Sequence, residues 1–129
     1  MGVNESDLIS MLRDNWDSLI DIQNRGKRRI FAKITKENYR VIADFLRRNF
    51  CARLITIEIF DSESLFEIIY YFDIQGIVLS LTISTAKLTP QIYTISDIIP
   101  SAVRYEKEIA DSFNLTFINA DNVKYRQPN

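Results

Sequence analysis

Few residues in this chain are equipped for chemistry. It has no histidine, a single cysteine, Cys51, and 3 glycines, Gly2, Gly26 and Gly76. Without an imidazole, neither a Ser–His–Asp nor a Cys–His nucleophile system can be assembled. One cysteine cannot build a zinc knuckle or a Cys-ligated iron–sulfur cluster from this chain alone. Three scattered glycines make neither a phosphate loop nor a dinucleotide fingerprint. Carboxylates, Lys, Arg and Tyr remain, and one carboxylate stands out. Within residues 100–117, Ala102, Tyr105, Ile109, Ala110 and Phe113 gather into an apolar arc when placed at ~100° per residue. Glu106 falls inside that arc, ~40° from Ala102. A carboxylate there must snorkel, meet a cation or rise in pKa. Three roles fit it: a partly exposed Glu at the rim of the buried face, half of an ion pair within the chain or to a partner, or a catalytic acid.

The helix around Glu106 has marked ends. Pro100 suits a helix start, Ser101 offers a capping hydroxyl, and Asn114 suits the left-handed residue that closes a helix. Arg104, Lys107, Glu108 and Asp111 lie on the far side, where Arg104 with Glu108 and Lys107 with Asp111 stand four residues apart. Such pairs add only ~0.2–0.5 kcal/mol each, and basic-before-acidic is the weaker order. A second charge cluster, Arg25, Lys27, Arg28 and Arg29, sits in a turn. It reads as a solvated hairpin tip or as a contact for an acidic protein surface. Nucleic acid is disfavoured there, because no aromatic stacking motif interleaves the basic residues.

The elements that must position these residues follow from periodicity. Residues 4–13 read as a first helix capped by Asn4, with Leu8, Met11 and Leu12 on one face. Residues 19–23 and 29–34 read as strands around the Gly26 turn. Thr35 is expected to cap a second helix that runs to residue 49. Tyr39, Ile42, Phe45 and Leu46 form its inner face, and Arg40, Asp44, Arg47 and Arg48 its outer face. Residues 53–60 alternate, with Ile55, Ile57 and Ile59 against Thr56 and Glu58. Residues 65–72 are apolar on both faces apart from Glu67 and read as a central strand. Residues 77–83 alternate again. Residues 84–90 read as a polar loop, and Thr94-Ile95-Ser96-Asp97 resembles a capping box that opens a short turn. Trp16 is placed as a lid over the core edge.

The order α-β-β-α-β-β-β-α points to an α+β two-layer sandwich, a mixed β-sheet with helices on one face. Residues 1–118 form one domain and residues 119–129 a loose tail. With 16 basic and 17 acidic residues the net charge is −1, which argues against a general nucleic-acid binder. No apolar run approaches the ~20 residues that span a bilayer. The polar start is unlike a signal peptide, and the lone cysteine agrees with a cytosolic chain.

From Thr94 onward the residues carry a resemblance. Thr94-Ile95-Ser96-Asp97, Ile98-Ile99-Pro100-Ser101-Ala102, Tyr105-Glu106-Lys107-Glu108, Asp111 and Phe113-Asn114-Leu115 match a family motif in order and spacing. The family is the hydrophilic C-type, or thirty-kilodalton, subunit of respiratory complex I. Related subunits occur in membrane-bound energy-converting hydrogenases and formate hydrogenlyases. Lys107 stands where the family usually has Arg, and Asn114 where it has Gly. Ser112 replaces a bulky apolar residue, and Arg104 replaces a frequent Trp, which leans toward the hydrogenase-type branch.

The resemblance implies a subunit with no cofactor and no catalytic centre of its own. It would sit cytoplasmically in the peripheral arm of a membrane-associated electron-transfer complex, of the NADH:quinone oxidoreductase or energy-converting hydrogenase type. Its expected neighbours are the large hydrogenase-like subunit and the iron–sulfur small subunit, with membrane contact only through them. Arg104, Glu106, Lys107, Glu108 and Asp111 would serve packing and ion pairing at a subunit boundary. The alternative is a stand-alone α+β module that binds an acidic partner or ligand through Arg25, Lys27, Arg28 and Arg29. A weaker third option is a carboxylate enzyme built on Glu106.

Overall fold

A computed structural model describes residues 3–17 and 19–119 of the 129-residue chain. The order is α1 (Glu5–Asn15), β1 (Leu19–Asn24), β2 (Arg29–Ile34), α2 (Tyr39–Phe50), β3 (Arg53–Asp61), β4 (Leu65–Ile74), β5 (Ile77–Ala86), β6 (Gln91–Tyr93), α3 (Ala102–Phe113) and β7 (Thr116–Ile118). Five strands form one mixed sheet in the order β1-β2-β5-β4-β3. Its pairs are antiparallel except β2 with β5, which run parallel at the sheet centre. The α+β fold expected from the residues is therefore the observed one. The expected order omits β6 and β7, which pair in parallel as a separate two-stranded sheet. Each has only three residues, too short for an alternating pattern to register.

One face of the large sheet carries the core. Ile30, Ala32 and Ile34 of β2 are buried there, with Ile68, Tyr70, Phe72 and Ile74 of β4 and Ile77, Leu79, Leu81 and Ile83 of β5. Strand alternation sends these side chains to the same side. Helix α1 contributes Leu8 and Leu12, and α2 contributes Tyr39, Ile42, Ala43 and Leu46. Tyr39 packs on Tyr70 with ring centroids 5.2 Å apart, and Phe113 of α3 meets Phe66 edge-on at 5.8 Å. Both strand residues belong to the buried face of β4. Trp16 is buried edge-on against Phe45 at 5.0 Å, closing the core edge.

The ends of the elements show where local rules hold. The Asn4 side chain accepts from the Asp7 amide at 2.8 Å, the expected N-cap of α1. Gly26 has φ 113, which suits a residue without a Cβ. Gln75 and Gly76, at φ 53 and 91, close the β4–β5 hairpin, and Asn114 ends α3 at φ 54. Two expected caps are not made. Thr35 does not open α2. It begins a turn in which the Asn38 amide donates to the Thr35 carbonyl at 3.0 Å, and Asn38 takes the N-cap position. Ser101 caps nothing through its hydroxyl. The Ala102 and Val103 amides donate instead to the Ile99 and Pro100 carbonyls, so a preceding backbone turn satisfies them.

Strand β3 departs from its simple alternation. A register shift between Leu54 and Thr56 turns Ile55 outward, where it is 45% exposed, while Ile57 is buried. A bulge inserts an unpaired residue and resets which side chains face the core. The expectation that Ile55 points inward fails for this reason. The strand expected to end at residue 83 continues to Ala86, so the loop before β6 is shorter than its polar composition suggests. Among the described residues no helix is long and apolar enough to cross a membrane.

Candidate functional site

Glu106 organises the loop that precedes α3. It is 5% exposed and forms no ion pair among the described residues. Its carboxylate accepts instead from two donors in the loop. The Thr94 hydroxyl donates to Oε1, and the Ile95 amide donates to Oε2 at 2.9 Å. Burial raises the Glu106 pKa above its ordinary value and the Asp97 charge adds to this. The two hydrogen bonds and the Arg40 charge act the other way. The Thr94 hydroxyl also accepts from the Ser96 amide at 3.0 Å, which folds the backbone tightly. Ile95 then accepts from the Ile98 and Ile99 amides at 3.0 and 2.8 Å, and the buried Ile95 and Ile99 side chains pin the loop to the core.

A second clamp comes from α2. The Arg40 guanidinium donates to the Thr94 carbonyl and takes the Asp97 carboxylate with both nitrogens, at 2.6 and 2.7 Å. This corrects two expectations. Arg40 does not belong to the outer face of α2; its side chain is only 11% exposed. Asp97 does not close a capping box, because its carboxylate faces Arg40. The guanidinium beside it holds the Asp97 carboxyl below its ordinary range. No spacing rule links Arg40 to a carboxylate 57 residues away. Only the fold reveals this residue.

The packed rings of Tyr39 and Tyr70 bring two buried hydroxyls together, interacting electrostatically with each other although neither meets a third hydrogen-bond partner among the described residues. Burial raises both phenols above the usual tyrosine range, and the Glu106 charge pushes both in the same direction. Glu106 and Arg40 are the buried polar groups that bond to the loop. Among the described residues no group of three or more His, Cys, Asp or Glu is placed to hold a metal.

The other candidate residues of α3 face outward. Arg104, Lys107, Glu108 and Asp111 are exposed. The expected pairs Arg104 with Glu108 and Lys107 with Asp111 do not form at ion-pair distance. Arg104 turns back over the Tyr105 ring, 5.0 Å from its centroid, and donates to the Tyr105 hydroxyl. Tyr105 in turn donates to the Ile55 carbonyl at 3.1 Å, tying α3 to β3. The structure thus separates Glu106 from the other four: it anchors the buried side while they occupy the surface.

The basic turn is brought together but half committed. Arg28 donates to the Gln75 and Gly76 carbonyls at 2.7 and 3.1 Å and lies 3.8 Å from Glu5. Arg25 stacks on Phe31 at 4.5 Å and donates to Gln23. Among the described residues the side chains of Lys27 and Arg29 make no ion pair.

The sheet and its helices define a fold shared with solved structures, among them the following two. A chain of the membrane-bound sulfane sulfur reductase, an archaeal respiratory membrane complex, superposes with a TM-score of 0.74 at 17% identity; the match covers 95% of this chain and 74% of that one. A trypsin-resistant fragment (1–134) of Nqo5 superposes with a TM-score of 0.71 at 18% identity, covering 87% of this chain and 93% of that one. No curated protein matches the chain in sequence. Residues 32–126 match the family described as "Respiratory-chain NADH dehydrogenase, 30 Kd subunit", and the chain belongs to that family. Membership makes it a subunit of the kind found in respiratory oxidoreductase complexes, and the clamped loop and α3 lie within the matched residues.

The Arg40 clamp has a measurable consequence. Arg40→Met removes both bonds to Asp97 and the donor to the Thr94 carbonyl. The expected cost is about 1–3 kcal/mol at neutral pH, kept low because Asp97 is half exposed and solvent screens the pair. The Asp97 pKa is lowered from 3.8 in the folded state, so its contribution is present above that value. It is lost as pH falls through the folded value. Urea unfolding of both proteins is therefore expected to show the gap narrowing on acidification below 3.8.

Proposed function

We propose that this chain is a non-catalytic subunit of a membrane-associated electron-transfer complex and that it docks through the outer face of α3. The observation that carries this is the division of labour on that helix. Glu106 and the Arg40–Asp97 pair rigidify the loop–helix unit from within, while Glu108 and Asp111 are exposed and form no ion pair among the described residues. Charged groups held on a rigid element can set register and orientation at an interface without adding much affinity. Family membership supports the reading. The neighbours we propose are the large hydrogenase-like subunit and the iron–sulfur small subunit, so that the chain helps assemble the peripheral arm and brings no cofactor of its own.

The experiment is affinity purification of the tagged full chain from native membranes under mild detergent. The wild-type chain is expected to bring down a large subunit and an iron–sulfur subunit. Glu108→Lys with Asp111→Lys is expected to cut recovery at least about tenfold, equivalent to ~1.4 kcal/mol of binding. The thermal midpoint of the isolated chain should stay unchanged, because both side chains are exposed. Recovery of the wild-type chain only as a free species overturns the reading, and full recovery with the doubly reversed variant overturns the docking face.

A further inference from the structure

The sheet edges of this molecule are treated unequally. β1 and β3 end the five-stranded sheet, and both carry a register shift, at Leu19/Asp21 and at Leu54/Thr56. Bulges of this kind blunt an edge against further pairing. On β3 the Tyr105 hydroxyl also occupies the Ile55 carbonyl. β7 has no such protection. It reads Thr-Phe-Ile, with no proline, no charge and no bulge, and among the described residues it pairs with β6 alone. The Thr116 amide and the Ile118 carbonyl bond toward the β6 side, at Pro90 and Thr94. Alternation along a strand then sends the Phe117 amide and carbonyl to the opposite edge, where no strand pairs with them among the described residues.

That edge borders a groove of about 690 Å³, a volume within the range of ordinary ligand pockets. Val103, Lys107 and Ala110 of α3 line it together with Leu115, Thr116 and Phe117. Val103 is 56% exposed, large for a valine on a packed helix. The charge presented to the groove is that of Lys107. Asp97 is neutralised by Arg40, and Glu106 is buried with both oxygens engaged. The chain's own continuation is a poor electrostatic match, since residues 120–129 carry Lys124 and Arg126 against Asp121. A two-stranded sheet is marginal by itself, and a third strand with an apolar face stabilises it.

We propose that an extended segment of a neighbouring subunit adds to the free edge of β7 as a third strand. It would lay apolar side chains over Val103 and Ala110 and set an Asp or Glu against Lys107. Main-chain bonds to Phe117 would supply affinity, and the groove side chains would supply specificity, as in other cases of strand addition. This rests on the chain being a complex subunit, and it names a contact distinct from the Glu108 and Asp111 face.

The test places a photo-crosslinking benzoylphenylalanine at Val103 in the tagged full chain, with the same group at Ser80 of β5 as a control. The complex is irradiated after purification from native membranes, and crosslinked peptides are identified by mass spectrometry. The expected product joins Val103 to one peptide of a neighbouring subunit that contains Asp or Glu; Ser80 does not capture that peptide. Lys107→Glu cuts the yield at least about tenfold, as loss of one favourable charge contact predicts, while Lys107→Arg retains it. Hydrogen exchange at the Phe117 amide is expected to be slower in the complex than in the free chain. A crosslink to residues 120–129 of the same chain, a yield indifferent to Lys107→Glu, or no Val103 product from a complex that still contains its neighbours overturns the proposal alone. Absence of any neighbour in the purified material overturns the subunit reading as well.

Discussion

Glu106→Ala is expected to lower the unfolding free energy by about 3 kcal/mol, because it leaves two donors in the loop without their acceptor. A buried donor left unpaired costs ~1–3 kcal/mol; the buried Ile95 amide loses its acceptor outright, and the partly buried Thr94 hydroxyl keeps only Ser96 Oγ, 2.8 Å away. Glu106→Gln separates the hydrogen bonds from the charge. The glutamine carbonyl can still accept from the Ile95 amide, and the Thr94 hydroxyl can turn toward Ser96 Oγ, 2.8 Å away. Its expected cost is within about 1 kcal/mol at neutral pH, since the variant also avoids a buried charge. The two side chains should diverge with pH. The folded-state pKa of Glu106 is raised above 4.5, so protonation favours the native state. That contribution is fully present below 4.5 and is lost as pH rises through the folded value. Parallel urea titrations should therefore show wild type losing stability relative to Glu106→Gln as pH climbs from 4.5. A gap that stays constant across that range would mean the carboxylate is not perturbed by burial.

Phe72→Ala is expected to cost about 3–5 kcal/mol, a cavity in the middle of the sheet rather than a loosened loop. Phe72 is fully buried in β4 and stacks on Tyr70 with ring centroids 6.5 Å apart. That is a large share of the ~5–15 kcal/mol that holds a domain of this kind together. The two losses should differ in place. Native-state hydrogen exchange is expected to rise first at residues 94–99 in Glu106→Ala, and across β2, β4 and β5 together in Phe72→Ala. Equal exchange patterns in the two variants would show that the loop and the sheet open as one unit. The loop would then not be the separately clamped element inferred from its hydrogen bonds.

The site is partly legible in the sequence. Glu106 stands out by its position inside the apolar arc of α3, and it is buried. Its partners are not legible. The residues leave a rim position, a cation partner and a raised pKa open, and the structure buries the carboxyl, raises its pKa and supplies a hydroxyl and an amide twelve and eleven residues upstream. The capping-box pattern at Thr94 to Asp97 correctly marked a turn but misassigned its carboxylate, because a distant guanidinium competes better for it than a local amide. Ile55 misled for a related reason: alternation holds only while both strands keep step, and a bulge is set by how two strands meet.

The sequence alone determined the properties that arise within a few residues of chain. These include the limits of α3, the Asn4 cap, the left-handed Asn114, the turn at Gly26, the α+β class and the absence of imidazole chemistry. Each rests on local sterics, short-range hydrogen bonds or side-chain periodicity, which do not require the rest of the fold. The tertiary structure alone decided the Arg40–Asp97 clamp, the outward turn of Ile55 and the parallel pairing of β6 with β7. Those depend on segments far apart in sequence being packed into contact, where geometry and desolvation choose among partners that local rules leave equivalent.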